Sequence, residues 1–157
     1  MPDLMRVLVC ATLVLVQPTT LERRVHDLIN AERAKAHARA LSWDADLAAI
    51  ARAHSADMAA RHFFSHVNPD GDNPTMRGRR AGYECRKAIS STEDRVGLAE
   101  NLYEISGHAP VDIARQSVNG WMKSPGHRQN ILEKGYTKTG VGVAESGNTI
   151  YITQLFC

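Results

Sequence analysis

Three side chains in this 157-residue sequence stand where their chemistry would be usable. His127 lies in Ser124-Pro125-Gly126-His127. Ser124 can cap a helix, Pro125 can open its first turn, and His127 then falls at the third helical position. Unpaired N–H groups at a helix N-terminus disfavour an imidazolium, so this ring is expected to stay neutral, available as a metal ligand or a hydrogen-bond acceptor. A bond to the next loop is the simpler role. His66 closes His62-Phe63-Phe64-Ser65-His66, just before the turn Asn68-Pro69-Asp70-Gly71, where a rigid element hands over to a loop and sites are often carried. Glu100 lies in Gly97-Leu98-Ala99-Glu100-Asn101-Leu102. If that stretch is extended, the carboxylate points the same way as Leu98 and Leu102, and among apolar neighbours it needs a histidine, a backbone amide or a cation. A half-exposed strand glutamate is the plainer alternative. His62 and His66, four apart, form a rival metal pair if both ride one helix, but they lack the intervening glutamate of the catalytic zinc-protease pattern.

Positioning these groups is the task of the surrounding elements. A first helix begins near Thr19, which has capping-box spacing to Glu22, with Leu21, Val25, Leu28, Ile29 and Glu32 on one face. Asp44 can cap a second, whose Leu47, Ile50, Ala51, His54 and Met58 recur as a core-facing stripe. The two helices are expected to pack on one sheet face. Asn73-Pro74 offers a cap and a first-turn proline for a short third helix ending near Gly82. Tyr83 to Val96 is polar and aperiodic and reads as a surface loop. Helix returns over Ala109 to Lys123. Val141 and Val143, then Ile150, Ile152, Gln154 and Phe156, alternate as strands about a Ser146-Gly147-Asn148 hairpin. Helices first and strands last, without a β-α-β rhythm, predict an α+β architecture with an antiparallel sheet.

The length and a hydrophobic content of 43% suit one domain with a substantial core, over 19–157. A net charge of +2, with basic and acidic residues interspersed, gives no reason to expect a nucleic-acid partner. The densest basic stretch, Arg77, Arg79 and Arg80, reads as a solvated helix face. Residues 1–18 read as a signal segment, with Arg6 ahead of an apolar run from Val7 to Val16. That run is well short of the ~20 residues that span a bilayer, so no transmembrane span is expected. A lipid anchor on Cys10 is a weaker reading, because Val9 stands where a small residue is wanted. Without that segment, Cys85 and Cys157 remain as a candidate disulfide, against the alternative of two unpaired thiols.

The order His54-Ser55-x-Asp57-Met58, Phe64-Ser65-His66, Pro69-Asp70-Gly71, Ala99-Glu100-Asn101-Leu102, Trp121-Met122-x-Ser124-Pro125-Gly126-His127-Arg128-x-Asn130-Ile131-Leu132 and Gly140-Val141-Gly142-Val143 resembles the CAP superfamily, which takes in cysteine-rich secretory, antigen 5 and pathogenesis-related proteins. The match spans roughly Leu21 to Phe156. The resemblance implies a three-layer α-β-α sandwich with a central antiparallel sheet. It also implies a cleft in which two histidines and acidic residues face each other, and His66, Glu100 and His127 match those positions. Some members bind a divalent metal there. A further glutamate that eukaryotic members carry just after the tryptophan is absent here, where Met122, Lys123 and Ser124 follow Trp121; this looks like the bacterial SCP-like branch. His54, Trp121 and Asn130 read as structural supports.

Two functions follow as expectations. One is a secreted, periplasmic or cell-envelope binding module, expected as a monomer, whose cleft holds a divalent metal such as zinc, a lipid, a small molecule or an extracellular protein. The other is a metal-dependent hydrolase of peptidase or esterase type, with His66 and His127 on zinc and Glu100 as third ligand or base. The lack of a serine or cysteine nucleophile motif or a third histidine ligand favours binding.

Overall fold

A computed structural model describes residues 17–88, 94–107 and 112–157. The proposed signal run and Cys10 fall outside these residues. Helix α1 (Thr20–Lys35) starts at the expected cap: Thr19 Oγ1 accepts the Glu22 N–H, and Glu22 Oε2 accepts the Thr19 N–H at 2.7 Å. Its buried stripe is Glu22, Val25, Ile29 and Arg33, with Leu21 and Leu28 partly buried beside it. Arg33 rather than Glu32 turns inward because carbonyls receive it: Nη1 donates to Ile131 O at 2.6 Å and Glu133 O at 2.9 Å, and Nε to Arg39 O at 2.7 Å.

After β1 (Ser42–Trp43), Asp44 caps α2 (Ala45–Arg61) by accepting from the N–H groups of Asp46 and Leu47. The expected stripe Leu47, Ile50, Ala51, His54 and Met58 is buried. Asn73 then caps α3 (Pro74–Arg80), with proline in its first turn. The stretch from Tyr83 to Val96, expected as a loop, contains an antiparallel ribbon, β2 (Arg86–Ala88) and β3 (Asp94–Val96); three-residue strands are too short to show a period. Then follow β4 (Ala99–Ser106), α4 (Ile113–Lys123), α5 (Pro125–Leu132), β5 (Lys138–Ser146) and β6 (Thr149–Phe156). Asp112 caps α4, and Ala109 to Val111, the expected start of that helix, lie outside the described residues.

The main sheet runs β1-β5-β6-β4. Strands β5, β6 and β4 are antiparallel as expected, joined for the first pair by a tight turn in which Gly147 takes φ 59°. The two-residue β1 adds in parallel to β5, so the sheet as a whole is mixed. Between its neighbours, β6 is buried from Ile150 to Phe156.

The two helices expected on one sheet face lie on opposite faces. Val141, Ile150, Ile152 and Phe156 pack with Val25, Ile29, Ala114, Val118, Trp121 and Ile131, which belong to α1, α4 and α5. On the other face Leu155 packs with Leu47, Ile50 and Ala51, and Leu102 and Tyr151 with Met58 and Ala59. Two glycines explain the division. A Cβ on Gly140 would stand 2.1 Å from Ala48 N, and one on Gly142 2.0 Å from Arg52 N, so the backbone of α2 rests directly on β5 and fills that face. The result is the three-layer sandwich. Glu22 links the outer layers: both its oxygens accept from Arg52 at 2.7 Å. Burial raises its pKa, but Arg52 and the N–H groups of Thr19 and Val143 outweigh that and hold it below the usual carboxylate range. Cys85 and Cys157, 72 positions apart, are joined as a disulfide that ties the chain end to the segment before β2.

Candidate functional site

Helix α2 stops at Arg61 because His62 takes a left-handed conformation, φ 55°, and its N–H closes on Met58 O. The chain therefore leaves the helix before His66. His62 and His66 do not share a helix face, and the rival metal pair that needs such a face is set aside. His66 returns toward the sheet, where its Nδ1 lies 2.9 Å from Glu100 Oε1. Its side chain remains 52% exposed, whereas that of Glu100 is 1% exposed.

Glu100 is the second residue of β4, on the same side of the sheet as Leu102. The sequence expectation that this carboxylate needs a partner is met several times over. Beyond His66, Arg77 Nη2 donates to Glu100 Oε2, and His54 Nε2 stands 4.0 Å from Oε1. Arg77 also donates through Nη1 to His66 O at 2.8 Å and to Asp72 O at 3.0 Å. One guanidinium thus holds both the loop that carries His66 and the carboxylate that meets its ring, in the forked geometry that suits arginine.

Arg77 was not legible as a site residue. Sequence reasoning places it with Arg79 and Arg80 on a solvated face, which holds for those two but not for Arg77, whose side chain is 10% exposed. The available signal was Gly78. A Cβ there would meet Leu98 Cδ1 at 2.8 Å, so this turn of α3 lies against the segment leading into β4, which brings Arg77 within reach of Glu100.

His54, expected as a packing residue, is also part of the network. Its Nε2–H donates to Ser65 O at 3.0 Å, and its ring lies against Phe63 with centroids 5.8 Å apart. Burial lowers its pKa, and Arg77 adds to the effect, against the opposing pull of Glu100.

His127 enters from the other side of β4. Asn101, whose side chain points opposite to that of Glu100, donates to His127 O at 3.2 Å. Asn130 donates to Asn101 Oδ1 at 2.9 Å and to Glu100 O at 3.3 Å. These bonds fasten α5 to β4, and Trp121 Nε1 fastens α4 to the same strand through Leu102 O at 2.8 Å. Asn130 and Trp121 are the supports that the sequence suggested. His127 sits at the third position of α5, as expected, with Pro125 opening the helix, although Ser124 makes no side-chain cap bond. Its pKa is lowered, first by burial and then by the nearby His66. The two rings therefore share one electrostatic environment, and charging both together is disfavoured. Among the described residues, no group of three or more His, Cys, Asp or Glu side chains is arranged to hold a metal ion.

A mixed sheet between helix layers, with a histidine-carboxylate pair at one end and a second histidine on the helix opposite, defines a class that the comparisons identify. The family described as CAP, cysteine-rich secretory protein family, matches residues 26–156, and the chain belongs to it. YkwD of Bacillus subtilis (strain 168) is 34% identical over 127 residues, covering 81% of this chain and 44% of its own length. An extracellular protein containing an SCP domain from Bacillus anthracis str. Ames superposes with a TM-score of 0.68 at 27% identity, over 90% of this chain and 44% of that one. An outer surface protein of Borrelia burgdorferi gives a TM-score of 0.67 at 17% identity, over 90% of this chain and 94% of that one, a likeness of fold. The chain spans less than half the length of the curated relatives it matches. No helix among the described residues is long and apolar enough to cross a membrane.

Proposed function

We propose that this is an exported binding module in which His66 and His127 hold a divalent cation, with zinc the best fit, and through it an extracellular partner. The observation that carries the reading is the His66 Nδ1 to Glu100 Oε1 contact of 2.9 Å, made while Arg77 occupies the other carboxylate oxygen. A carboxylate accepting from Nδ1–H fixes the tautomer and leaves Nε2, on the far side of the ring, with its lone pair free. His127, whose pKa is lowered first by burial and then by the nearby His66, supplies the second nitrogen. Two imidazoles suit zinc, and the remaining positions would be filled from solvent or the partner. When bound, the cation would offer a Lewis-acidic point for a carboxylate, phosphate or carbonyl oxygen. Glu100 orients His66 from behind rather than acting as a third ligand, because both its oxygens are already engaged. For the same reason it is a poor base for a bound water, which favours binding over the hydrolase. Export is supported by the description of a structural relative as extracellular and by the disulfide, which suits an oxidising compartment.

Calorimetric zinc titration tests the proposal. His66→Ala and His127→Ala should each abolish saturable binding, and Glu100→Gln should weaken it by about 10–100-fold as loss of an outer partner does. Undiminished affinity in His127→Ala would sink the cleft as the site. Chelator-sensitive turnover in peptidase and esterase assays would return the hydrolase to favour.

A further inference from the structure

Strand β4 is the last of the main sheet, with β6 on one side and no strand on the other. Two side chains close part of its outer margin: Asn130 Nδ2 donates to Glu100 O and Trp121 Nε1 to Leu102 O, both from the side away from β6. In an antiparallel ladder the two backbone groups of a residue point the same way, and the direction alternates along the strand. The even-numbered residues of β4 therefore present theirs outward. Beyond Leu102 these are the N–H and C=O groups of Glu104 and Ser106. Both residues are exposed, and no described residue bonds to those outward groups.

A free edge of this kind is a template for another strand. Here a helix borders it. Trp121 ties the C-terminal end of α4 to Leu102, and a Cβ on Gly120 would lie 3.1 Å from the Tyr103 ring. Between them runs a groove of about 380 Å³, lined by Tyr103 and by a stripe of α4 that passes from Asp112 through Gln116, Asn119 and Gly120 to Lys123. Asp112 is matched by Arg24 and by Arg115, which also lines the groove. Lys123 is exposed and has no ion pair with a described residue. Tyr103 and Ile105 pack on the α4 face, so Glu104 between them points to the opposite one, where it too is exposed and has no ion pair with a described residue. The margin thus carries an unmatched negative charge on one face and an unmatched positive charge on the other.

We infer that the β4 margin takes an extended segment of a partner protein as an added antiparallel strand over Glu104 to Ser106, with a basic residue opposite Glu104 and, next after it, an acidic residue opposite Tyr103 turned into the α4 groove toward Lys123. The backbone bonds supply affinity and the alternating side chains supply specificity. A second copy of this chain lacks the matching charges, because its own β4 offers Leu102, Glu104 or Ser106 opposite Glu104, none of them basic. The site is separate from the cleft and stands whether or not a cation binds there.

The probes are two end-capped heptapeptides of one composition, Thr-Val-Thr-Lys-Glu-Thr-Val and the charge-exchanged Thr-Val-Thr-Glu-Lys-Thr-Val, titrated into the intact protein by calorimetry and amide NMR. The first should bind saturably, move the amide resonances of Glu104 and Ser106, and bind about threefold to tenfold more tightly than the second, as two cross-strand charge pairs allow. N-methylation of its lysine, whose N–H meets Glu104 O, should abolish binding. N-methylation of its glutamate, whose N–H faces away from β4, should leave affinity within about threefold. Glu104→Pro removes an N–H that β6 does not use, so the folded variant should keep its sheet and lose the peptide. No saturable binding of the first peptide overturns the inference, as do equal effects of the two N-methyl groups or unchanged affinity in Glu104→Pro. A dimer in sedimentation equilibrium that Glu104→Pro abolishes would also overturn it, by giving the margin to a second copy.

Discussion

On the face of the sheet that carries α1, α4 and α5, Val25, Ile29, Val118, Ile131, Val141, Ile152 and Phe156 close around Trp121, whose indole N–H is satisfied by Leu102 O. On the face that carries α2 and α3, the glycines of β5 bring a helix backbone against the strand, and Glu100, His54 and Arg77 lie buried beside two smaller apolar clusters, Leu47, Ile50, Ala51 and Leu155, and Met58, Ala59, Leu102 and Tyr151. Even the contacts of α2 with the strands are partly polar: Ser55 Oγ meets Gly142 O at 2.9 Å and Thr153 Oγ1 at 2.8 Å. Burial on the first face supplies cohesion. Burial on the second fixes the direction of a few polar groups, which is what a binding site requires and what an apolar core cannot supply. The segments that carry His66 and His127 are held from the two faces of β4, since the carboxylate of Glu100 meets the His66 ring and the side chain of Asn101 donates to His127 O.

The sharpest break in this comparison should come from Trp121→Ala. Losing a fully buried indole should cost about 3–5 kcal/mol in urea unfolding, and any loss of zinc affinity should track the unfolded fraction alone. A mutant that stays fully folded yet loses zinc would show that the apolar face does more than hold the strand. Arg77→Met acts on the other face. It leaves Glu100 buried without its cation, a situation that costs about 3–5 kcal/mol when a buried pair is broken. Its second effect should separate the faces: the loop that carries His66 loses the Nη1 bonds to His66 O and Asp72 O, and zinc binding weakens in the folded fraction. Unchanged zinc affinity there would deny Arg77 a positioning role.

Smaller effects probe the seam between the faces. Replacing Cys85 and Cys157 together by serine should cost about 2–4 kcal/mol, as expected for a native bridge that closes a long loop, with zinc binding retained. Loss of zinc binding in the folded double mutant would make the disulfide part of the site. The acid response should be smaller still. The pKa of His54 is lowered by burial from its ordinary value of 6.5, so the unfolded chain takes up the proton first. The stability that His54 contributes is therefore present above that value and is lost as pH falls below it toward the folded pKa. His54→Gln should flatten the stability profile over that window, whereas a profile identical to the parent's would exclude His54 as the responsible group. At the alkaline end, Tyr83, whose hydroxyl donates to Asp44 at 3.2 Å, is pushed up to about 12 by burial and by Asp44. An ultraviolet titration of Tyr83→Phe should remove one late-ionising phenol and nothing else.

Much of this was written locally. The Thr19-Glu22 box, the Asp44 and Asn73-Pro74 starts, the stripe on α2 and the Gly147 turn all close within a few residues, so the sequence determines them almost unaided. The types and order of His66, Glu100 and His127 were equally visible. What the tertiary structure decided is everything that depends on which distant segments meet. The placement of α1 and α2 on opposite faces follows from α2 lying on Gly140 and Gly142. The inward turn of Arg77 depends on Glu100 waiting 23 positions further along. His54 passes from packing residue to network member only because Ser65 and Glu100 arrive beside it. A buried charge is stable only opposite its partner, and one-dimensional spacing does not say which partner the fold will bring.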